Sequence, residues 1–288
     1  MISDNETADN QTAAEPDLES IEIRALLHAL YEWCGYDFRG YAYPSLRRRI
    51  WHRIQAERLT TISGLQEKAL HDPSCLKRLI SDFSINVTEM FRDPPFFMAF
   101  REKVVPLLRT YPVIRIWHAG CSTGEEVFSM AILLEEEGIY EKTKIYATDI
   151  NTEVLEIAKQ GAFPMDQMKK HTHNYLKAGG RRSFSDYYSA ADNRVVFHSH
   201  LAKNIVFARH NLVTDGSFNE FNVILCRNVL IYFSRALQDK VHELFYHSLS
   251  KFGVLGLGDK ESIAFTARKD SYEPISAEHK IYRKTNSS

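Results

Sequence analysis

From Leu18 to residue 83, apolar positions recur every three or four residues, which is the spacing of a buried helix face. The first such segment stops before Gly35, a residue that favours helix ends. A second segment starts near Ser45, whose hydroxyl can cap a helix, and two shorter segments cover 61–71 and 74–83. We therefore predict an all-helical domain over residues 18–85.

The pattern changes after about residue 112, where short apolar strands alternate with amphipathic helices. The predicted strands cover 113–120, 144–150, 221–228, 254–258 and 280–284, and the predicted helices cover 125–138, 152–163 and 235–253. This alternation predicts an α/β domain over residues 112–288 with a doubly wound, mostly parallel sheet. Residues 86–111 form a connecting segment that ends in a helix.

A polar insert, residues 168–204, separates the second helix of this domain from the third strand. Because residues 194–198 are strand-like, we predict a small β subdomain here. On a strand, a His-x-His pair faces one way, as metal ligands would. Since no cysteine accompanies the histidines, we assign them to the surface and predict no metal site. The two pairs are His171 with His173 and His198 with His200.

The chain has 36 Lys and Arg against 37 Asp and Glu, and its net charge of −1 excludes the overall basic field of a nucleic-acid binder. Five of the acids lie in residues 1–17, a polar stretch that we predict to be a disordered tail. The four widely spaced cysteines fit a reducing compartment. Since no apolar run approaches the roughly 18 residues that span a bilayer, we expect a soluble, cytoplasmic protein without membrane insertion.

The segment HAGCSTGEEVFSMA, residues 118–131, follows the first strand and opens a helix. Its small residues, including Gly120 and Gly124, allow a backbone to approach a ligand closely, and this turn is the usual ligand site of an open α/β sheet. It is neither the G-x-G-x-x-G dinucleotide fingerprint nor a Walker A loop. The alternative is structural, because two capping boxes overlap here, Ser122 with Glu125 and Thr123 with Glu126.

Asp149 ends the second strand, 25 residues after Gly124. A carboxylate in this place accepts hydrogen bonds from both hydroxyls of a ribose. Its alternative role is to supply negative charge at the start of the next helix. Nicotinamide-dependent dehydrogenases and S-adenosylmethionine-dependent methyltransferases both use this layout, so the residues predict a nucleoside-like ligand and leave both enzyme classes open.

Two further segments carry polar residues among apolar ones. NVTEMFRDPPFF, residues 86–97, precedes the α/β domain, and LCRNVLIYF, residues 225–233, ends its third strand. Polar groups where a buried strand stops are typical of an active-site edge, and an arginine among aromatic residues is commonly stacked or paired with a carboxylate. The residues concerned are Asn86, Thr88, Arg92, Arg227, Asn228 and Tyr232.

In chain order, these segments contain N-V-T-E-M-F-R, G-C-S-T-G-E-E, A-T-D-I and C-R-N-V-L-I-Y-F. The CheR family of chemotaxis-receptor glutamate methyltransferases shows N-x-T-x-F-F-R, G-x-S-T-G-E-E, A-[ST]-D-I and C-R-N-V-x-I-Y-F, so the chain resembles that family over about residues 20–286. The resemblance implies a Rossmann-like class I methyltransferase fold with a helical N-terminal domain and a β subdomain. It also implies methyl transfer from S-adenosylmethionine to receptor glutamates, which leaves S-adenosylhomocysteine.

The resemblance further implies roles for single residues. Asp149 would bind the ribose, Asn211 and Leu212 would lie against the adenine, and Arg92 and Tyr232 would be catalytic, beside the acceptor carboxylate. The implied cofactor-binding residues are Asn86, Thr88, Arg92, Gly120, Glu126, Asp149, Asn211, Leu212, Arg227 and Asn228. The chain departs from the family at Met90, at Asn151 and at Gly258-Asp259-Lys260-Glu261-Ser262.

The predicted partners are the cytoplasmic helices of methyl-accepting chemotaxis receptors, bound by a monomer. A basic cluster on the second helix, Arg47, Arg48, Arg49 and Arg53, would attract acidic receptor helices. The alternative is an ordinary solvated helix face. The β subdomain is a second candidate contact. Two other functions stay open, namely a cofactor-binding regulatory module without methyl transfer and a nicotinamide oxidoreductase, which the incomplete glycine fingerprint disfavours.

Overall fold

The computed structural model describes residues 17–285. The predicted tail, residues 1–17, lies outside the described residues except for Asp17, whose carboxylate accepts a hydrogen bond from Ser20 N at 2.8 Å and caps the first helix. Four helices follow, α1 (Leu18–Cys34), α2 (Tyr43–Ala56), α3 (Ile62–His71) and α4 (Pro73–Phe83). Their apolar faces meet in one buried cluster, as the periodicity predicts.

The predicted start of the second helix at Ser45 is wrong by two residues. The helix α2 begins at Tyr43, and Ser45 lies inside its first turn. Pro44 accounts for the earlier start, because its fixed φ suits a first helical turn and its missing N–H leaves no donor unpaired there. Ala42 is the residue before the helix and has no side-chain oxygen to cap it.

A seven-stranded sheet forms the centre of the α/β part, in the order β6-β2-β1-β7-β8-β10-β9. The first five strands in this order run parallel, and β10 is antiparallel to both β8 and β9. This confirms the doubly wound, mostly parallel sheet, although the sequence reading missed β6 and β9. The strands are β1 (Ile114–Ala119), β2 (Thr143–Asp149), β6 (Ile205–Arg209), β7 (Phe221–Cys226), β8 (Leu249–Leu257), β9 (Tyr272–Ser276) and β10 (Ile281–Lys284).

Helices cover this sheet on both faces, so β1 buries alternate side chains in two separate cores. Ile114 and Ile116 belong to one core, and Trp117 and Ala119 belong to the other. The helices are α5 (Pro94–Ala99), which continues through a π-helical turn (Phe100–Val104) into α6 (Val105–Leu108), then α7 (Glu125–Glu136), α8 (Thr152–Gln160) and α11 (Arg235–Ser248).

Two predicted helices are shorter than expected because a strand begins sooner. The helix predicted over 152–163 ends at Gln160, since Gly161 adopts a left-handed φ of 58° and closes it. The helix predicted over 235–253 ends at Ser248, and β8 starts directly at Leu249. Both chain reversals are therefore tighter than the hydrophobic pattern indicates.

The small β subdomain is present as a three-stranded antiparallel sheet in the order β3-β5-β4. Its first strand covers residues 162–164, and residues 168–177 form a helix. The predicted start of the β subdomain at residue 168 is therefore wrong. His171 and His173 lie on that helix, where residues two apart do not share a face. His173 is exposed, whereas His171 is buried, so its predicted surface position is wrong. The elements are β3 (Ala162–Pro164), α9 (Met168–Lys177), β4 (Tyr188–Ala191), β5 (Arg194–Phe197) and α10 (Ser199–Ala202).

The helical part is joined to the sheet part by backbone hydrogen bonds just before α2. Ala42 N donates to Tyr232 O at 2.8 Å, and Ser234 N donates to Gly40 O at 2.9 Å. Tyr41 and Phe233 form an isolated antiparallel bridge between the same two segments. The segment before α2 therefore lies at the carboxyl edge of the sheet, where Tyr41 lines one side of a cleft.

Candidate active site

A cleft of about 890 Å³, including its open mouth, lies at the carboxyl edge of the parallel strands. Parallel strands bring their carboxyl ends to one edge, so loops distant in sequence meet there. All eleven residues predicted from the sequence line this cleft, namely Asn86, Thr88, Arg92, Gly120, Glu126, Asp149, Asn211, Leu212, Arg227, Asn228 and Tyr232.

The turn after β1 requires glycine at its closest approach to the neighbouring loop. Gly120 has a φ of 82°, and a Cβ there would lie 2.5 Å from Val229 Cγ2. Gly124, with a φ of 95°, is the residue before α7, and the two predicted capping boxes do not form in the described chain. Thr123 instead donates to the Glu125 side chain at 2.6 Å. The small residues therefore shape the cleft rather than cap the helix.

Asp149 lies at the end of β2 with both carboxylate oxygens bound to backbone. Oδ2 accepts from Ser122 N at 2.9 Å, and Oδ1 accepts from Asn151 N at 2.9 Å. Burial raises the pKa of Asp149, and these backbone hydrogen bonds oppose that rise. Because each carboxylate oxygen has a second lone pair, the group can still accept from two adjacent hydroxyls.

Glu126, in the first turn of α7, contacts both His118 and Arg227. Its Oε1 lies 3.1 Å from His118 Nδ1, and its Oε2 accepts from Arg227 Nη1 at 2.7 Å. Burial by itself would raise the pKa of Glu126, but the Arg227 charge and the His118 contact outweigh it and lower the pKa to about 2. Glu126 is therefore a fixed negative charge in the cleft wall.

Arg227 joins the first turn of α7 to the segment that carries Arg92. Its Nη2 donates to Arg92 O at 3.0 Å and to Asp93 Oδ2 at 2.9 Å, and its guanidinium lies 4.1 Å from the centre of the Phe96 ring. The side chain is only 1% exposed. The hydrogen bonds of this guanidinium go to protein groups, so it organises the cleft wall.

The segment before α5 is held in a strained conformation. Phe91 and Asp93 adopt left-handed φ values of 50° and 56°. Phe91 N donates to Ser129 Oγ at 2.9 Å, and Asn174 Nδ2 donates to Met90 O at 3.0 Å. Arg92 Nη1 donates to a carbonyl of its own segment at 3.0 Å, which leaves its other N–H groups available at the cleft.

Glu261 is a site residue that the sequence reading did not assign. Its carboxylate accepts four backbone hydrogen bonds, from Asn228 N at 3.0 Å, Val229 N at 2.8 Å, Leu230 N at 2.7 Å and Gly258 N at 2.6 Å. Asn228 adopts a left-handed φ of 61°, so this acid stabilises a costly turn. The sequence did contain a signal for this role, because Glu261 is kept where residues 258–262 otherwise depart from the family pattern.

The basic cluster predicted on α2 does not form one surface. Arg47 and Arg48 are exposed, whereas Arg49 is buried with its guanidinium 4.9 Å from the centre of the Tyr232 ring. Arg53 pairs with Asp82 at 2.7 Å. The prediction of four receptor-facing arginines is therefore wrong for Arg49 and Arg53, because α4 and the cleft wall pack against that side of α2.

Unpartnered polar atoms at the cleft fit a nucleoside ligand. Asn211 Nδ2 and Ser122 Oγ are buried without hydrogen-bond partners in residues 17–285, and both residues line the cleft. Asn211 Oδ1 already accepts from Val213 N at 2.9 Å. With the acid at Asp149, this set offers acceptors for ribose hydroxyls and a donor for a ring nitrogen, as an adenosine moiety requires.

Comparisons with known proteins agree with this cleft. The family model described as CheR methyltransferase, SAM binding domain, matches residues 86–281, and that described as CheR methyltransferase, all-alpha domain, matches residues 21–84. Cher3 of Pseudomonas putida is 51% identical over 265 residues, which are 92% of this chain and 97% of that protein. A chemotaxis protein methyltransferase of Listeria innocua is 32% identical over 231 residues, which are 80% of this chain and 85% of that protein.

A solved O-methyltransferase from Brevibacillus brevis, in complex with S-adenosyl-L-homocysteine, is 13% identical with a TM-score of 0.35. The match covers 57% of this chain and 39% of that chain.

The two family models meet between residues 84 and 86, where the segment carrying Arg92 starts. No helix within residues 17–285 is long and apolar enough to cross a membrane. The two matches cover nearly all of the chain, and it therefore belongs to the CheR methyltransferase family.

Proposed function

We propose that this protein transfers a methyl group from S-adenosylmethionine to glutamate side chains of methyl-accepting chemotaxis receptors, in the cytoplasm. The observation that supports this most is that one cleft is lined both by Asp149 and Asn211, suited to a nucleoside, and by Arg92 and Tyr232, suited to a carboxylate. The family match and the chemotaxis methyltransferase of Listeria innocua support the same reaction class.

In this proposal the chain holds the cofactor by its two ends. Asp149 accepts from the ribose hydroxyls, and Asn211 with Leu212 lies along the adenine. Asn86 and Thr88 lie at the methionine end, with Glu126 and Asn228 forming the adjoining wall. The cofactor supplies a methyl group on a positively charged sulfur, and the chain's own groups supply position and exclusion of water.

The acceptor carboxylate is ionised near pH 7, so the transfer needs no general base. A new bond forms between a carboxylate oxygen and the methyl carbon while the bond from that carbon to sulfur breaks, and no proton leaves. Arg92 donates a charge-assisted hydrogen bond to one carboxylate oxygen and leaves the other free to attack. Tyr232 adds a hydroxyl that holds the same group from the other side of the cleft.

Receptor binding is proposed on the exposed arginines of α2. Arg47 and Arg48 line a second hollow together with Trp51 and His52, and its basic character suits the acidic helices of a receptor. The outer strand β4 of the small sheet, with three of its four residues exposed, is a second candidate contact. Both surfaces are present in a single copy of the chain, and the proposed enzyme is monomeric.

The direct test is a methylation assay with receptor-containing membranes and S-adenosylmethionine labelled in its methyl group. We expect a base-labile methyl ester on the receptor, released as labelled methanol. S-adenosylhomocysteine binding without ester formation would instead support a regulatory module. Calorimetry with NAD serves as the comparison, because NAD binding in place of S-adenosylhomocysteine would support an oxidoreductase.

A further inference from the structure

Arg49 of α2 lies beneath the acceptor end of the cleft, although it comes from the helical part of the chain. It is 7% exposed, whereas its neighbours Arg47 and Arg48 are exposed. Its guanidinium carbon lies 4.9 Å from the centre of the Tyr232 ring, within the range of a cation–π contact. Its Nη1 donates to Phe83 O at 2.9 Å.

These two contacts connect both sides of the acceptor end. Phe83 is the last residue of α4, and the chain continues from it directly into the segment that carries Arg92. Tyr232 is fixed from the other direction, because its carbonyl accepts from Ala42 N at 2.8 Å just before α2. Tyr232 is therefore held by its backbone from the residue before α2 and by its ring from Arg49 within α2.

Burying the charge of Arg49 costs free energy, and a side chain that only filled space would not need that charge. Its Nη2 is buried and has no hydrogen-bond partner among the described residues. An apolar side chain of similar length would fill the same space without the cost of removing a charge from water. Arrangements that cost stability in this way concentrate at functional sites.

We propose that Arg49 is a positioning residue for Tyr232, which holds the ring so that the hydroxyl meets the acceptor carboxylate. This inference rests on the proposed function, in which Tyr232 contacts that carboxylate. It assigns Arg49 to the methyl-transfer step and removes it from the receptor-docking surface. Through Arg49 the helical domain contributes to the chemistry, although this arginine does not itself line the cleft.

The test is a double-mutant cycle of Arg49→Met and Tyr232→Phe in the full chain, with Arg58→Met as the matched control at an exposed arginine after α2. We expect Arg49→Met to lower kcat about tenfold, an effect between those of an exposed and a fully desolvated cation–π contact. The KM for receptor and the Kd for S-adenosylhomocysteine should stay within about twofold of the wild type. In the Tyr232→Phe background, Arg49→Met should change kcat less than about twofold, because no hydroxyl is left to position.

Arg49→Lys should restore part of kcat, since an ammonium can also lie over the ring. The proposal would be overturned in favour of direct receptor contact if Arg49→Met raised the receptor KM and its effect multiplied with the effect of Tyr232→Phe. An unchanged kcat would overturn it as well.

A second measurement separates this inference from the proposed function. In protein labelled with ¹³C-tyrosine, with the signal assigned by its loss in Tyr232→Phe, the Tyr232 ring resonance should shift in Arg49→Met and not in Arg58→Met. This holds whether or not any ester forms. An unshifted resonance in folded Arg49→Met protein, or in folded Arg49→Gln protein if the methionine variant does not fold, would overturn the positioning role, while absence of ester in the wild type overturns only the methylation proposal.

Discussion

Arg227 Nη1 lies 2.7 Å from Glu126 Oε2, and this buried ion pair ties the end of β7 to the start of α7. The same arginine donates to the carbonyl of Arg92. The pair therefore connects the start of α7 with Arg92, the residue proposed to orient the acceptor carboxylate. Because Glu126 is a fixed charge with its pKa lowered to about 2, the pair stabilises the fold at neutral pH.

Glu126→Gln should therefore lower the free energy of unfolding at pH 7 by about 2 kcal/mol, since it removes one of the two carboxylates that pair with Arg227 and leaves only Asp93. A carboxyl whose folded pKa is lowered stabilises above its ordinary pKa of 4.5 and loses that effect as the pH falls from there toward 2. The gap between wild type and variant in urea unfolding should be constant from pH 7 to 5 and shrink below about 4.5. Glu156→Gln, at an exposed glutamate of α8, is the control, and a gap that stays constant down to pH 3 would contradict the assignment.

Glu261→Gln should loosen the turn of residues 228–230. An amide offers one oxygen, and its NH₂ would point at backbone N–H groups that now donate to the second carboxylate oxygen. We expect a loss of about 2 kcal/mol in unfolding free energy and about tenfold weaker S-adenosylhomocysteine binding by calorimetry. Asp259→Asn, at the exposed position two residues earlier, should change neither; equal behaviour of the two variants would remove Glu261 from the site.

Asp149→Ala should weaken S-adenosylhomocysteine binding by about 10- to 100-fold, because two hydroxyls lose a charged acceptor. Calorimetry measures this directly, with Asp166→Ala at an exposed aspartate as the control. An analogue without the ribose hydroxyls should bind the wild type and Asp149→Ala about equally. Unchanged affinity for S-adenosylhomocysteine in Asp149→Ala would refute the ribose role.

Arg92→Ala should lower turnover by about 100-fold while the Kd for S-adenosylhomocysteine changes much less, since the guanidinium is proposed to orient the acceptor carboxylate. Arg92→Lys should recover little, because a point charge does not reproduce the planar donor geometry. Single-turnover methylation and calorimetry on the same preparation separate the two effects. Equal losses in both would move Arg92 from the acceptor to the cofactor.

Charge reversal at Arg47 and Arg48 should raise the receptor KM, and the increase should shrink at high salt, because exposed charges are screened over about 8–10 Å. Arg53→Glu should behave differently and lower thermal stability, since the Arg53 side chain is 11% exposed and pairs with Asp82, whereas Arg47, which pairs with Glu19, is 52% exposed. KM measured at two salt concentrations distinguishes the cases. A receptor KM that stays unchanged at both salt concentrations would favour an ordinary solvated helix face.

Much of the architecture is readable from local patterns. The period of apolar residues predicts four helices before residue 84, and the alternation after residue 112 predicts the parallel sheet. The strand β9 was not predicted because Glu273 and Pro274 interrupt its apolar residues. The strand β6 does carry an apolar run, residues 205–208, directly after the polar insert, and the sequence analysis did not assign it. The motif residues were also predictable, since loops at the carboxyl ends of parallel strands must meet.

By itself, the sequence determined the helical and α/β parts, the glycine turn and the carboxylate at Asp149, because these depend on local spacing. Only the tertiary structure decided that Arg49 lies under Tyr232 while Arg47 faces solvent, and that Glu261 binds the turn at Asn228. Helical spacing shows which residues share a face but not which neighbour covers it. Four arginines within one helix therefore look alike until the elements pack, and an acid's partners emerge only when distant loops meet.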